Sequence, residues 1–440
     1  MRNIGRAALV VLGCAGFTTG ASAYTLKTIH TFCAEADCTD GRFPSGPLVM
    51  DRQGNLFGLT DEGGNGPRAG TAFELTPGTG GWTHSVIYRF CHACGTRPIG
   101  GLVLDVSGNL YGVAMNGGQN DGGTVFELSP PTSGVEWSFH RLHSFCGKNV
   151  CADGFLPLAG LTYAGAASGA LYDGVSPLYG TTELGGDGGI GVVFQLAQVR
   201  GKFRESVIHA FNWGSGHTDG AYPVAPATVD GSGNLYGTTE TGGAFYDPNN
   251  GHGGTVFELT PGPDGTWTES LLYSFNALPN AADGDLPMAP VLMDSMGNLF
   301  GAAQFGGTNG QGGVAFKLTP ASPTWQETVL NNFCTQPNCT DGRFPNTGLM
   351  MNGSGALIGT TFLGGITTDH EDDGGGLIYQ LSDGNFQIVY DFCSRKHCAD
   401  GADPNGPLIM DSAGNLFGTT VSGGRHKAGG GTGTVFELIP

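Results

Sequence analysis

The chain has 440 residues, of which 80 are Gly (80/440, about 18%, where roughly 7% is ordinary), so a conventional helical protein is excluded. Collagen fails for want of a three-residue period and with only 24 Pro, and disorder fails because 39% hydrophobic and 10% aromatic residues against 13% charged supply apolar surface that offsets chain entropy. With 19 Lys and Arg against 38 Asp and Glu the formal charge is -19, which argues against nucleic acid and anionic membrane surfaces as partners and leaves a Gly-punctuated all-β chain.

Residues 1–23 read as a secretory signal: Arg2 and Arg6 precede an apolar stretch from Ala7 to Phe17, and Ala21-Ser22-Ala23 offers a small-residue cleavage site before Tyr24. The apolar run is shorter than the ~20 residues a membrane span needs. Val11-Leu12-Gly13-Cys14 keeps a lipoprotein signal open as the alternative, with Cys14 lipidated.

From Tyr24 onward one unit recurs. A β-rich run ends in Phe, a loop follows, then an apolar run ending in Asp, a turn, GNLFG or a relative, GG, and GTVFELTP. The terminal Phe stands at Phe32, Phe90, Phe145, Phe211, Phe275, Phe333 and Phe392, at intervals of 55 to 66 residues. The first full unit predicts strands over Pro47 to Asp51, Leu56 to Thr60, Thr71 to Thr76 and Trp82 to Phe90, each with the alternation of a half-buried strand. Four antiparallel strands per 40 to 60 residues describe a propeller blade. The last unit stops at Pro440 without its fourth strand, whereas Tyr24 to Phe32 is a fourth strand without a blade. A closed ring explains both ends, while an open solenoid would call for capping repeats. The expectation is a single seven-bladed β-propeller over 24–440, its last blade completed by 24–32.

The loops after the terminal Phe hold close cysteine pairs: Cys33 with Cys38, Cys91 with Cys94, Cys146 with Cys151, Cys334 with Cys339, and Cys393 with Cys398. An even set of locally paired cysteines in an exported chain reads as disulfides, because metal binding would ask each pair for two further ligands that its neighbourhood lacks. An extracellular or periplasmic location follows.

The combination DxxGNL[FY]GTT, GG, GTVFEL, with a DG before the next unit, is seen at Asp230 to Gly243, Gly254 to Leu259 and Asp411 to Leu438. It resembles the GloVer (Gloeo/Verruco) tandem repeat of exported bacterial proteins, over nearly the whole mature chain. That resemblance implies a propeller-like fold and carries over no catalytic residues. The family's C-terminal anchors have no counterpart before Pro440.

Strand order places the loops between strands two and three, and between blades, on one variable face. Asp40, Asp153, Asp219, Asp283, Asp341 and Asp400 each precede Gly and stand four residues before Pro. They read as turn formers that accept local N–H groups, with a ring of cation ligands as the alternative. Candidates for ligand binding are Trp213, His217, Tyr246, Asp247 and His252, from two irregular loops of the fourth blade. Aromatic faces flanked by carboxylates and amides suit sugar rings, and packing of the loops themselves is the competing account. Glu183 and Glu240, each just after GTT on neighbouring blades, are candidates for an acid/base pair in glycosidic cleavage. The run containing Asp369, Glu371, Asp372 and Asp373 offers oxygen ligands for Ca2+, although it matches no EF-hand or nonapeptide pattern.

The expected function is therefore an exported, disulfide-stapled propeller, expected as a monomer, that binds an extracellular glycan through its variable face. The alternatives are a polysaccharide hydrolase or lyase and an envelope scaffold that contacts protein. No organic cofactor is expected.

Overall fold

A computed structural model describes residues 24–134, 136–212, 217–246, 252–308, 310–322, 324–366, 374–424 and 431–440. It is a ring of seven antiparallel sheets, six of them built from four consecutive strands in the order of the chain and the seventh from strands of both chain ends. Blade 1 consists of Arg42–Met50, Leu56–Glu62, Thr71–Gly78 and Gly81–Arg89. Blades 2 to 6 follow at 96–144, 162–210, 228–274, 292–332 and 350–391.

Blade 7 takes Ile409–Met410, Leu416–Ser422 and Thr434–Ile439 from the C-terminus and its outer strand, Thr25–Thr31, from the N-terminus. The two ends of the chain pair from Thr25 opposite Ile439 to Thr31 opposite Thr434, so the ring closes as the unmatched ends imply. The N-terminal strand thereby covers Thr434–Ile439, which would otherwise be the exposed edge of blade 7.

The seven terminal Phe residues are buried, and each packs edge-on against the third-strand aromatic of the next blade. Phe32 meets Phe73 at 5.0 Å, Phe90 meets Phe126 at 4.9 Å, and Phe392 meets Phe436 at 5.1 Å between ring centroids. Phe145–Phe194, Phe211–Phe257, Phe275–Phe316 and Phe333–Tyr379 repeat the contact. The recurring Phe of the repeat thus marks each blade interface. Edge-to-face pairs add about 0.5–1.5 kcal/mol each to the area they bury. The last Gly of GNLFG serves the same contact: a Cβ on Gly58 would lie 2.5 Å from Phe73 Cζ, and one on Gly237 would lie 2.4 Å from Phe257 Cζ.

The innermost strand is longer than expected in blade 1, Arg42–Met50, but only two residues long in blades 3 to 6, as in Thr228–Val229. Pro within this segment lacks an N–H for the ladder, and even in blade 1 the pairing is interrupted between Ser45 and Val49, around Pro47.

All five expected cysteine pairs are bonded: Cys33 to Cys38, Cys91 to Cys94, Cys146 to Cys151, Cys334 to Cys339 and Cys393 to Cys398. In the CxxxxC loops the second cysteine ends a short 3-10 turn, as Cys38, Cys151 and Cys339 do, and Cys94 closes a tighter loop by donating its N–H to Cys91. The recurring Asp residues accept local N–H groups in these inter-blade loops: Asp40 from Ala34 and Glu35, Asp283 from Ala277 and Leu278, Asp341 from Thr335 and Gln336.

Candidate functional site at the channel mouth

The inner strands converge on a cavity of roughly 470 Å3 at the end of the channel that carries the inter-blade loops. Every blade contributes backbone to it, through Gly46, Gly100, Gly160, Pro226, Pro290, Gly348 and Pro407. Small residues are required here because the inner strands nearly touch. A Cβ on Gly46 would fall 2.5 Å from Gly101 N, and one on Gly160 would fall 2.0 Å from Gly100 O.

Around this floor runs a ring of seven residues with left-handed backbone, each immediately before a Pro: Phe43, Arg97, Leu156, Tyr222, Leu286, Phe344 and Asp403, with φ between 55° and 60°. Bulky residues rarely adopt this conformation, and each costs of order 1–3 kcal/mol and persists only where its surroundings enforce it. The enforcement is visible. Each of the seven donates its N–H to a carbonyl of the preceding blade's loop between strands two and three, as in Phe43 to Thr432, Tyr222 to Ile190 and Phe344 to Gly312 at 2.8, 2.9 and 3.0 Å. In blades 3 to 6 the carbonyl of the strained residue accepts the N–H at the end of the second strand, from Glu183, Glu240, Gln304 and Phe362. The slot is constant in backbone and changes in side chain from blade to blade, as suits a surface that displays chemistry on a rigid scaffold.

The cavity is lined from this ring by Phe43 and Arg97 and from the second-strand ends by Asp61, Glu183, Glu240 and Val421, with Asn346 and Asn405 adding amides. Arg97 grips Asp61 with both donors, Nε to Oδ1 at 2.8 Å and Nη2 to Oδ2 at 2.9 Å, so that side of the mouth is charge-compensated. Among the described residues neither Glu183 nor Glu240 has an ion-pair partner. Burial pushes both carboxyls above the ordinary glutamate value, and the charge of Glu183 pushes Glu240 further. The two candidates from neighbouring blades are thus brought to one wall of one cavity.

Tyr222, absent from the candidates named by sequence, neighbours them outside the cavity lining: its carbonyl accepts the Glu240 N–H at 2.9 Å. Burial raises its hydroxyl pKa, as do the charges of Tyr246, Glu183 and Glu240. The only trace of it in the chain is its place in the D-G-x-X-P slot, where the residue before Pro changes from blade to blade.

The fourth-blade loop candidates have distinct fates. His217 is only 7% exposed, is itself left-handed at φ 63°, and packs its ring 4.5 Å from that of Tyr246. That is packing between the two fourth-blade loops. His252 makes an ion-pair contact through Nδ1 with Asp285 Oδ2, across the junction with blade 5. Trp213 and Asp247 lie outside the described residues, as do Asp369, Glu371, Asp372 and Asp373. The repeat tryptophans pack blades together: Trp82 against Phe417, Trp137 against Phe57 and Trp267 against Tyr179, at 5.9 to 6.0 Å.

No helix among the described residues is long and apolar enough to cross a membrane. Among solved structures, the chain is similar to an oxidoreductase of Thermus thermophilus with a provisional glucose dehydrogenase assignment, at 13% identity and a TM-score of 0.45, covering 95% of this chain and 100% of that one. It is also similar to the sialidase of Trypanosoma rangeli, in complexes with sialic acid and with the inhibitor DANA, at 10% identity and TM-scores of 0.40 and 0.41. Those matches cover 93% of this chain and about half of the sialidase, 54% and 55%. No curated protein matches. The model of the Gloeobacter/Verrucomicrobia repeat matches residues 16–176 and 173–369, most of the chain, and the protein belongs to that repeat family.

Proposed function

We propose that this propeller binds a glycan at the mouth of its channel, on the wall formed by blades 3 and 4. The observation that carries this reading is the meeting of Glu183 and Glu240 on one wall of the 470 Å3 cavity, with Tyr222 within electrostatic reach of both and of Tyr246. Aromatic faces take the C–H face of a pyranose, while carboxylates and the amides of Asn346 and Asn405 take hydroxyl hydrogen bonds. The five disulfides support an oxidising compartment outside the cytoplasm, where polysaccharides are available, and the N-terminal signal reading agrees with it. Ring strain enforced at seven positions favours a preorganised site over one that forms on binding.

A glycan array on the purified chain, repeated with Tyr222→Ala and with Glu240→Gln, tests this. Loss of the bound glycan in both variants, at unchanged circular dichroism, is the expected result. Undiminished binding in both refutes the placement of the site.

One observation favours hydrolysis as a second reading. Two carboxyls raised by burial, with Glu240 raised further by the charge of Glu183, can divide into a proton donor and an ionised partner. In that case Glu240→Gln would abolish release of reducing ends while leaving glycan binding in place.

A further inference from the structure

Outward from the wheel of phenylalanines, three repeat positions meet at the interfaces between blades. They are the residue two before the terminal Phe, the Asp of the following Asp-Gly, and the residue six before the terminal Phe of the next blade. Comparison around the ring shows what each interface does with the buried Asp. At two interfaces the first position is Tyr and its hydroxyl donates to the carboxylate, Tyr273 to Asp283 at 2.9 Å and Tyr390 to Asp400 at 2.8 Å, whereas Tyr88, with no Asp-Gly after it, donates to Cys94 Sγ. Between blades 7 and 1 the first and third positions are His30 and His84, stacked at 3.9 Å, with His30 Nε2 3.9 Å from Asp40.

Two successive interfaces instead bring a histidine together with two carboxylates. Between blades 2 and 3 the set is His143, Asp153 and Glu205, and between blades 3 and 4 it is His209, Asp219 and Glu269. In each, one imidazole nitrogen and one oxygen from each carboxylate lie within 4.8 Å of one another. The side chains of Asp153 and Glu205 are 1% and 2% exposed. Asp153 takes the N–H groups of Gly147 and Lys148, and Lys148 Nζ reaches Glu205 at Oε2, 3.1 Å away. These contacts leave Glu205 Oε1 buried with no hydrogen-bond partner among the described residues, and Glu269 Oε1 repeats the condition. His143 Nε2 stands 3.3 Å from Asp153 Oδ2 but out of hydrogen-bond alignment with it. A buried acceptor without a donor costs about 1–3 kcal/mol, and of the three glutamates left so in this repeat slot, Glu205, Glu269 and Glu327, the first two alone among the described residues stand with an imidazole and a second carboxylate in a ligand-like set.

We propose that His143, Asp153 and Glu205, and their repeat equivalents His209, Asp219 and Glu269, are two inter-blade sites for a divalent transition-metal ion, Zn2+ by its donor chemistry, which clamp blades 2, 3 and 4 together. Imidazole nitrogen with two carboxylate oxygens suits Zn2+ at bond lengths of about 2.0–2.2 Å and disfavours Ca2+ and Mg2+, which select oxygen. Ligands at that distance around a tetrahedral ion stand roughly 3.4 Å apart, within reach of the 4.8 Å envelope by small side-chain movements. A fourth position remains for water. The repeat itself supplies the substitution that should dispense with the ion, because Tyr fills the His slot at Tyr273 and Tyr390 and satisfies the Asp directly.

The test is metal content of tag-free, chelator-treated protein after equilibration with Zn2+ and gel filtration, read by mass spectrometry of the metal. Wild type should retain about two Zn2+ per chain against excess Ca2+, H143Y and H209Y about one each, the double variant none, and H30Y about two. The thermal midpoint should rise with Zn2+ in wild type and stay fixed in the double variant. Should a Tyr variant fail to fold by circular dichroism, E205Q and E269Q carry the same expectation. Wild type that retains no Zn2+, or a double variant that retains as much as wild type, overturns the proposal.

Discussion

Glu327 occupies the interface between blades 4 and 5, where Tyr273, in the slot that His143 and His209 fill elsewhere, donates to Asp283. Its Oε1 is buried without a partner among the described residues. Burial first, and then the charge of Asp283, pushes its carboxyl from 4.5 up to about 7. A carboxyl raised in the folded state binds protons that the unfolded chain has already lost. Its contribution is therefore harmless below about pH 4.5, erodes stability as pH rises toward 7, and stands as a full penalty above that. At about 1.4 kcal/mol per pH unit the whole interval amounts to ~3 kcal/mol, which partial solvent access reduces to about 1–2 kcal/mol. Glu327→Gln removes that penalty at constant volume. For a chain of this length the unfolding entropy converts it to a rise of about 2 °C in thermal midpoint at pH 8. Differential scanning calorimetry of wild type and variant at pH 4.5 and pH 8 measures it. A gain of equal size at both pH values, or a loss at pH 8, refutes the assignment of a buried, repelled charge.

Gly237→Ala should destabilise by about 1–3 kcal/mol in urea unfolding, because the added Cβ meets Phe257 Cζ at 2.4 Å, whereas Gly231→Ala, which meets nothing within 4 Å, should be neutral. Replacing Cys393 and Cys398 by Ser should cost about 2 kcal/mol by the loop-entropy relation for so short a loop, read from the urea midpoint with and without reductant. Arg97→Met leaves Asp61 uncompensated at the channel mouth and should lower stability by about 0.5–1 kcal/mol, an effect that high salt should diminish because the pair is partly exposed. Glycan binding should strengthen as pH rises through the range just above the ordinary glutamate value, because ionised Glu183 and Glu240 are the acceptors for sugar hydroxyls, and Glu240→Gln should flatten that profile in titrations across pH.

The blade count was legible because the terminal Phe, the Gly of GNLFG and the third-strand aromatic are one contact repeated seven times, so their periodicity survives in a single sequence. Ring closure was legible from two incomplete ends that complete one another at Thr25 and Ile439. The candidate site was legible in part. Glu183 and Glu240 could be placed near the end of their strands, since GTT marks it, yet their convergence depends on the curvature of the ring. The left-handed residues were hidden because a residue before Pro reads as extended, and only the N–H accepted by the preceding blade forces Tyr222 or Phe43 out of that region. The inter-blade triads were hidden by distance along the chain: His143 and Glu205 meet only once two blades are stacked. His217 read as a ligand contact by its residue type, but its burial makes it a support for Tyr246.

Glycan binding at the wall of Glu183, Tyr222 and Glu240 is tested most directly by isothermal titration of the purified protein with the strongest glycan from an array, beside Tyr222→Ala. Saturable one-site binding is predicted for wild type, weakened at least tenfold in the variant, about 1.4 kcal/mol, with the thermal midpoint of the unliganded variant within a few degrees of wild type. Equal affinity in the two proteins, or the absence of any glycan that binds wild type, would contradict it.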